Sequence, residues 1–116
     1  MLNMAVEMGR LVADPKLKHT SEKIAFTRFT LAVDRDYKKE GKERGTDFIN
    51  FIAWRSNAEY ACKYLRKGRL AVVRGKMQTR TYQDTQGVRH KVFEIAANEI
   101  HGLGNPVKKD GQTAKE

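Results

Sequence analysis

The stretch DFINFIAWR, Asp47 to Arg55, has the period-two pattern of a β-strand with two unlike faces. Successive side chains of an extended chain point to opposite sides, so Ile49, Phe51 and Ala53 share one face. Phe48, Asn50, Ile52 and Trp54 share the other. The first set is an ordinary core. The second carries a large ring at each end, which solvent alone does not call for.

Working outward, NMAVEMGRLV (3–12) predicts a first strand with Met4, Val6 and Met8 on one face. Gly9 within it points to a bulge or a close backbone approach. Asp14-Pro15 then interrupts, since Pro15 disfavours helix at Asp14. IAFTRFTLAVDR (24–35) alternates, with Phe29, Leu31 and Val33 opposite Arg28, Thr30 and Asp34. DYKKEGKERGT (36–46) is polar, holds Gly41 and Gly45, and is expected to be a mobile hairpin loop.

Beyond the 47–55 strand, NAEYACKYLRKG (57–68) places Ala58, Ala61, Cys62 and Leu65 at helical spacing. Ser56 or Asn57 is the expected cap, and Gly68 the expected C′ stop, preceded by Arg66 and Lys67 at the negative helix end. RLAVVRGKMQTRTY (69–82) predicts a long strand with Leu70, Val72, Arg74, Lys76, Gln78, Arg80 and Tyr82 opposite Ala71, Val73, Gly75, Met77 and Thr79. DTQG (84–87) is a hairpin turn, and RHKVFEIAANEI (89–100) a fifth strand with Phe93, Ile95 and Ala97 on one face. Three strands, one short helix and two further strands make an all-β chain with the element order of an OB-fold, a five-stranded Greek-key barrel. One domain is expected over 1–103, followed by a short disordered tail over 104–116.

The chain has 116 residues, with 23 Lys and Arg against 14 Asp and Glu, a formal net charge of +9. Its pI is near 9.9 and its mean hydropathy −0.68. That balance favours a nucleic acid or another anionic surface as partner. No apolar run approaches the roughly 20 residues that span a bilayer, and MLNMAVEMGR does not read as a signal or transit peptide. A cytoplasmic compartment and no membrane partner are the expectation. The single cysteine, Cys62, excludes an intrachain disulfide and a cysteine-based zinc site, and fits a small core residue.

Single-stranded nucleic acid is held by planes for its bases and cations for its phosphates. The row Arg74, Lys76, Gln78, Arg80, Tyr82 supplies both, although charges on a solvated strand face also discourage aggregation. Phe48 and Trp54 tip the balance toward a binding face, unless the helix or a second subunit covers them. Tyr37 stands among Lys38, Lys39, Lys42 and Arg44, placed either to stack on a base or to fold back on the barrel rim. The cations assigned to phosphate are Arg35, Lys38, Lys39, Arg55, Arg74, Lys76, Arg80 and Arg89. His19, His90 and His101 lack the short spacings of metal ligands. No acidic cluster suits a metal nuclease, and no G-x-x-x-x-G-K-[ST] motif suits an ATPase. Neither metal, cofactor nor catalysis is expected.

MLNMAVEMGRLVADPKLKHT, FTLAVDRDY, TDFINFIAWRSNAEYACKYLRKG and GKMQTRTYQDTQGVRHKVFE, in this order and spacing, resemble the bacterial and phage single-stranded DNA-binding protein family. The resemblance implies an OB-fold, a homotetramer around which DNA wraps, and a role in replication, recombination and repair. It also implies base stacking on Tyr37, Phe48, Trp54 and Tyr82. Two of these positions are Trp in well-known members; Tyr or Phe keeps a π-face and weakens each stack. Members usually end in an acidic, Phe-terminated tip that recruits replication and repair proteins. This sequence ends NPVKKDGQTAKE, with three lysines against two acids, so such recruitment is not expected of these residues. A short paralogue, a phage version and a truncated form all fit. Two rival functions are an OB module that docks a protein partner and an RNA-binding barrel of the cold-shock kind. The dense aromatic motifs of the latter are missing.

Overall fold

The structure, a computed structural model, describes residues 1–36 and 45–104 together with the backbone of 108–109 and 112–113. Its elements are β1 (Ala5–Leu11), β2 (Lys18–His19), β3 (Ala25–Asp34), β4 (Thr46–Trp54), α1 (Ser56–Tyr64), β5 (Leu70–Gln83) and β6 (Arg89–Gly102). Two residues each form β7 (Lys108–Lys109) and β8 (Gln112–Thr113), which pair as a short ladder within the tail expected to be disordered. The rest of 105–116 lies outside the described residues, as does the 37–44 stretch of the loop expected to be mobile.

Strands pair in the order β1-β5-β6-β4-β3, and β3 returns to β1 through Arg10 opposite Ala32 and Leu11 opposite Leu31. The ring is therefore closed, which removes the open edges a flat sheet would expose. All pairings are antiparallel except β4 with β6, where Phe51 and Ile52 run parallel to Ile95 and Ala96. One parallel contact between the third and last barrel strands, with a helix between β4 and β5, is the connectivity expected of the OB-fold. β2, which the sequence pattern did not reveal, adds an edge to β3 with Lys18 opposite Phe26. Two residues carry no periodicity.

Two glycines make closure possible. A Cβ on Gly9 would lie 2.4 Å from the Ala32 carbonyl oxygen, and one on Gly75 2.1 Å from that of Ala96. The first is the close approach anticipated for Gly9, where β1 leaves β5 for β3. The second sits at a register shift: Arg74 pairs with Glu99 and Gly75 with Ala97, skipping Asn98. That bulge resets the alternation of β6, so Ile95, Ala97 and Ile100 all reach the core.

The core also holds Leu11, Phe29, Leu31, Phe51, Ala53, Ala71 and Val73, with Phe29 and Phe51 stacked at 5.2 Å. α1 closes one end through Ala58 and Ala61, and Asn57 ties it to β6 by donating to the carbonyls of Ala97 and Asn98 at 3.3 Å. Both helix ends differ from expectation. Arg55, not Ser56 or Asn57, is the N-cap, at φ 56°, and no side chain caps it. The helix stops at Tyr64 because Leu65 turns extended into the core; the Arg66 guanidinium then donates to the carbonyls of Cys62 and Leu65. Gly68, with φ 88°, serves the following turn rather than the helix C′ position.

Two expected faces also differ. Phe93 is 59% exposed and Met77 49%, because β5 and β6 run on past the barrel as a two-stranded arm with no opposing layer among the described residues. Ile52, expected outside, is buried apart from the main core, flanked on the face by Arg28 and Ala96.

Candidate nucleic-acid interface

The outer face of the sheet is built by period two across four strands. β4 contributes Phe48, Asn50, Ile52 and Trp54; β3 sets Ala32, Thr30, Arg28 and Phe26 opposite them in turn. Through Ile52 beside Ala96, and Ala96 beside Lys76, the same face continues onto β6 and β5 as Glu94 with Gln78, Val92 with Arg80 and His90 with Tyr82. Phe48 is 65% exposed, Trp54 39% and Tyr82 46%. Helix α1 does not cover them. Three of the four expected stacking rings thus share one face, while Tyr37, Lys38 and Lys39 lie outside the described residues.

Phe26 was not singled out by sequence, although its parity with Arg28 places it on this face. Its ring lies 5.4 Å from Trp54, with the Arg28 guanidinium 5.5 Å from its centroid. His90, read as an ordinary surface histidine, stacks on Tyr82 at 5.1 Å, and Arg80 lies 5.6 Å from the Tyr82 ring. A cleft of about 170 Å³ beside Trp54 is lined by Asp14, Lys16, Lys18, Phe26 and Arg28. Another, of about 140 Å³, opens where β4 and β6 separate, between Phe48, Asn50, Phe93 and Met77.

The cations differ in how their charge is already engaged. Arg35 grips Asp47 bidentately, Nη2 to Oδ1 at 2.8 Å and Nε to Oδ2 at 3.1 Å. The shared hydrogen bonds lower the Asp47 pKa and raise that of Arg35. Arg74 donates to Glu99, Nε to Oε1 at 3.0 Å, and that bond holds the Glu99 carboxyl below its ordinary value. Arg80 lies 3.5 Å from Glu94. Among the described residues, Arg55, Lys76 and Arg89 are exposed and carry no carboxylate partner. The charges of these three are thus not engaged by a carboxylate among the described residues. Sequence alone did not separate the two groups, because each ion pair crosses a hairpin whose register, including the bulge at Gly75, the alternation does not fix.

At the arm tip, Asp84 Oδ1 accepts from the amides of Gln86 and Val88 at 2.9 Å, and Oδ2 meets His90 Nε2 at 2.8 Å. The His90 contact first, then the backbone bonds, lower the Asp84 pKa. Among the described residues no group of three or more His, Cys, Asp or Glu is placed to hold a metal ion, and no helix is long and apolar enough to cross a membrane. An exposed sheet face of rings interleaved with cations can stack planar groups and neutralise a polyanion.

Residues 2–103 match the model of the single-strand binding protein family. The chain is 46% identical over 103 residues to the single-stranded DNA-binding protein of Caldanaerobacter subterraneus subsp. tengcongensis, covering 89% of this chain and 69% of that protein. It is 45% identical to single-stranded DNA-binding protein A of Bacillus subtilis over 103 residues, spanning 89% of this chain and 60% of that one. It is 40% identical over 115 residues to single-stranded DNA-binding protein 1 of Lactococcus lactis subsp. lactis, covering 99% of this chain and 77% of that protein. With its closed barrel, its exposed ring face and a family match over nearly its whole length, the chain belongs to the single-strand binding protein family.

Proposed function

We propose that the protein binds single-stranded DNA irrespective of sequence and protects it during replication, recombination and repair, without catalysis. Family membership and the names of the relatives support this. The observation that carries it is the exposure of Phe48, Trp54 and Tyr82 on one sheet face with cations between them. Bases stack on these rings and on Tyr37, and phosphates are met by Arg35, Lys38, Lys39, Arg55, Arg74, Lys76, Arg80 and Arg89. Every base has a π-face, so neither contact reads sequence, and duplex DNA is disfavoured because its bases already stack on one another. The site of action is the cytoplasm, at the nucleoid.

The assembly is a homotetramer in this account. Met4, just before β1, and Val6 and Met8 on it form an exposed apolar row, at 61%, 55% and 55% exposure, which a second copy would cover. Light scattering of the free protein should return four chains per particle. For binding, a gel shift comparing a dT oligomer with a duplex of equal length should show tight binding of the first alone. Binding to neither would return the face to protein docking.

A further inference from the structure

We propose that Glu94 is a positioning residue that fixes Arg28 and Arg80 beside two ring pairs, Phe26 with Trp54 and Tyr82 with His90, so that each set forms one composite station for a base. The inference rests on the single-stranded DNA reading of this face. Glu94 sits at the centre of the face and is only 4% exposed. A carboxylate so removed from water needs partners. Arg28 Nε stands 3.5 Å from its Oε2, Arg80 Nε 3.5 Å from its Oε1, and Gln78 Nε2 3.3 Å from Oε1.

The two arginines come from strands on opposite sides of β6 and β4, and each ends beside a ring, at 5.5 Å and 5.6 Å. Each of those rings touches a second ring, at 5.4 Å and 5.1 Å. The face thus runs ring pair, guanidinium, carboxylate, guanidinium, ring pair. Between the arginines a cleft of about 140 Å³ opens, with Glu94, Thr30 and Asn50 among its lining.

Two guanidiniums that share one buried carboxylate keep a single net positive charge between them, so each has less to offer a phosphate than an unpaired cation. Their planes remain available, with the side chains of Arg28 and Arg80 still 48% and 41% exposed. A guanidinium is flat, weakly hydrated and stacks on aromatic faces, whereas a lysine ammonium does not. Glu94 therefore directs Arg28 and Arg80 to bases, which moves Arg80 out of the phosphate set given above and leaves phosphates to the other cations of that set, Arg55, Lys76 and Arg89 foremost.

The test turns on a sign. Glu94→Gln keeps the side-chain volume and removes one negative charge from a basic face, so simple charge counting expects tighter DNA binding. Positioning expects affinity for a dT oligomer to fall about three- to tenfold, with the salt slope unchanged because the phosphate contacts survive. Trp54 fluorescence titration at several salt concentrations reads both, and a thermal melt confirms folding. Affinity equal to or tighter than wild type overturns the inference. Arg28→Lys and Arg80→Lys, which keep charge and lose the plane, should each weaken binding, and should add little in the Glu94→Gln background. Should Glu94→Gln not fold, these lysine variants decide: unchanged affinity in both rejects the stations. A wild-type protein that ignores dT would instead defeat the underlying reading of the face.

Discussion

The two halves of β5 share one strand and both pair with β6, with the bulge at Gly75 between them, yet they live in different surroundings. From Leu70 to Gly75, β1 pairs along the other edge and the barrel layer closes over Ala71, Val73 and Gly75, all buried. From Lys76 to Gln83 every residue is exposed. Asn3 extends the ladder one step: its side-chain amide bonds the Met77 carbonyl at 2.8 Å and accepts from the Met77 amide at 3.0 Å. Strand pairing alone therefore buries nothing; a second layer does. The first half holds the fold together, and the second is an arm that holds Arg80 and Tyr82 out in solvent.

The largest expected contrast is in stability. Phe51→Ala in the barrel should cost about 3–5 kcal/mol, while Phe93→Ala on the arm should cost about 1 kcal/mol or less. Urea unfolding at fixed protein concentration measures both. Equal costs would mean that the arm is covered in solution, and the contrast would fail. Next comes affinity, where barrel and arm should look alike. Trp54→Ala and Tyr82→Ala should each weaken dT binding by about 1–3 kcal/mol, the range found for stacking rings in single-strand-binding barrels, this family among them. Both variants should keep the wild-type fold by circular dichroism. Unfolding of Trp54→Ala would make that ring part of the core.

A smaller effect separates the cations. Lys76→Ala should reduce the log–log salt slope of binding by about 0.7, one phosphate's share of released counterion. Arg74→Ala should reduce it less, since Arg74 must exchange Glu99 for the phosphate. Equal reductions would show that the pairing with Glu99 is irrelevant once DNA is bound. The smallest effect is at the arm tip. Asp84 has a folded pKa below its unfolded value, so its contribution is complete above about pH 4 and fades as pH falls through the folded pKa. Melting curves from pH 7 to pH 3 should converge for wild type and Asp84→Asn at the acid end. Curves that stay parallel would remove Asp84 from the hairpin's support.

Alternation carried most of the fold. All five barrel strands, the helix and the 84–87 turn were legible because each has either a period or a turn residue, and the closed ring bears them out. What alternation could not show was where the opposing layer ends. Phe93 and Ile95 have the same parity, and only the length of the arm leaves one in water. Nor could it show a reset such as the skip at Asn98, or the helix stop at Leu65, which depends on a core pocket. On the candidate face, Phe48 and Trp54 were legible as rings lacking a core reason, and Tyr82 as the ring that ends the row of cations on its strand. Phe26 could have been found by its parity with Arg28. His90 and Glu94 could not, since their partners come from sequence positions 6 to 66 residues away.

Trp54 is the only tryptophan in the chain and one of the exposed rings of the face. The most direct measurement is therefore its emission during titration with a dT oligomer and with duplex DNA at matched salt. Base stacking on this face predicts strong, saturable quenching by the dT oligomer and little change with duplex. Emission unaffected by the dT oligomer, or quenched equally by both, would contradict it.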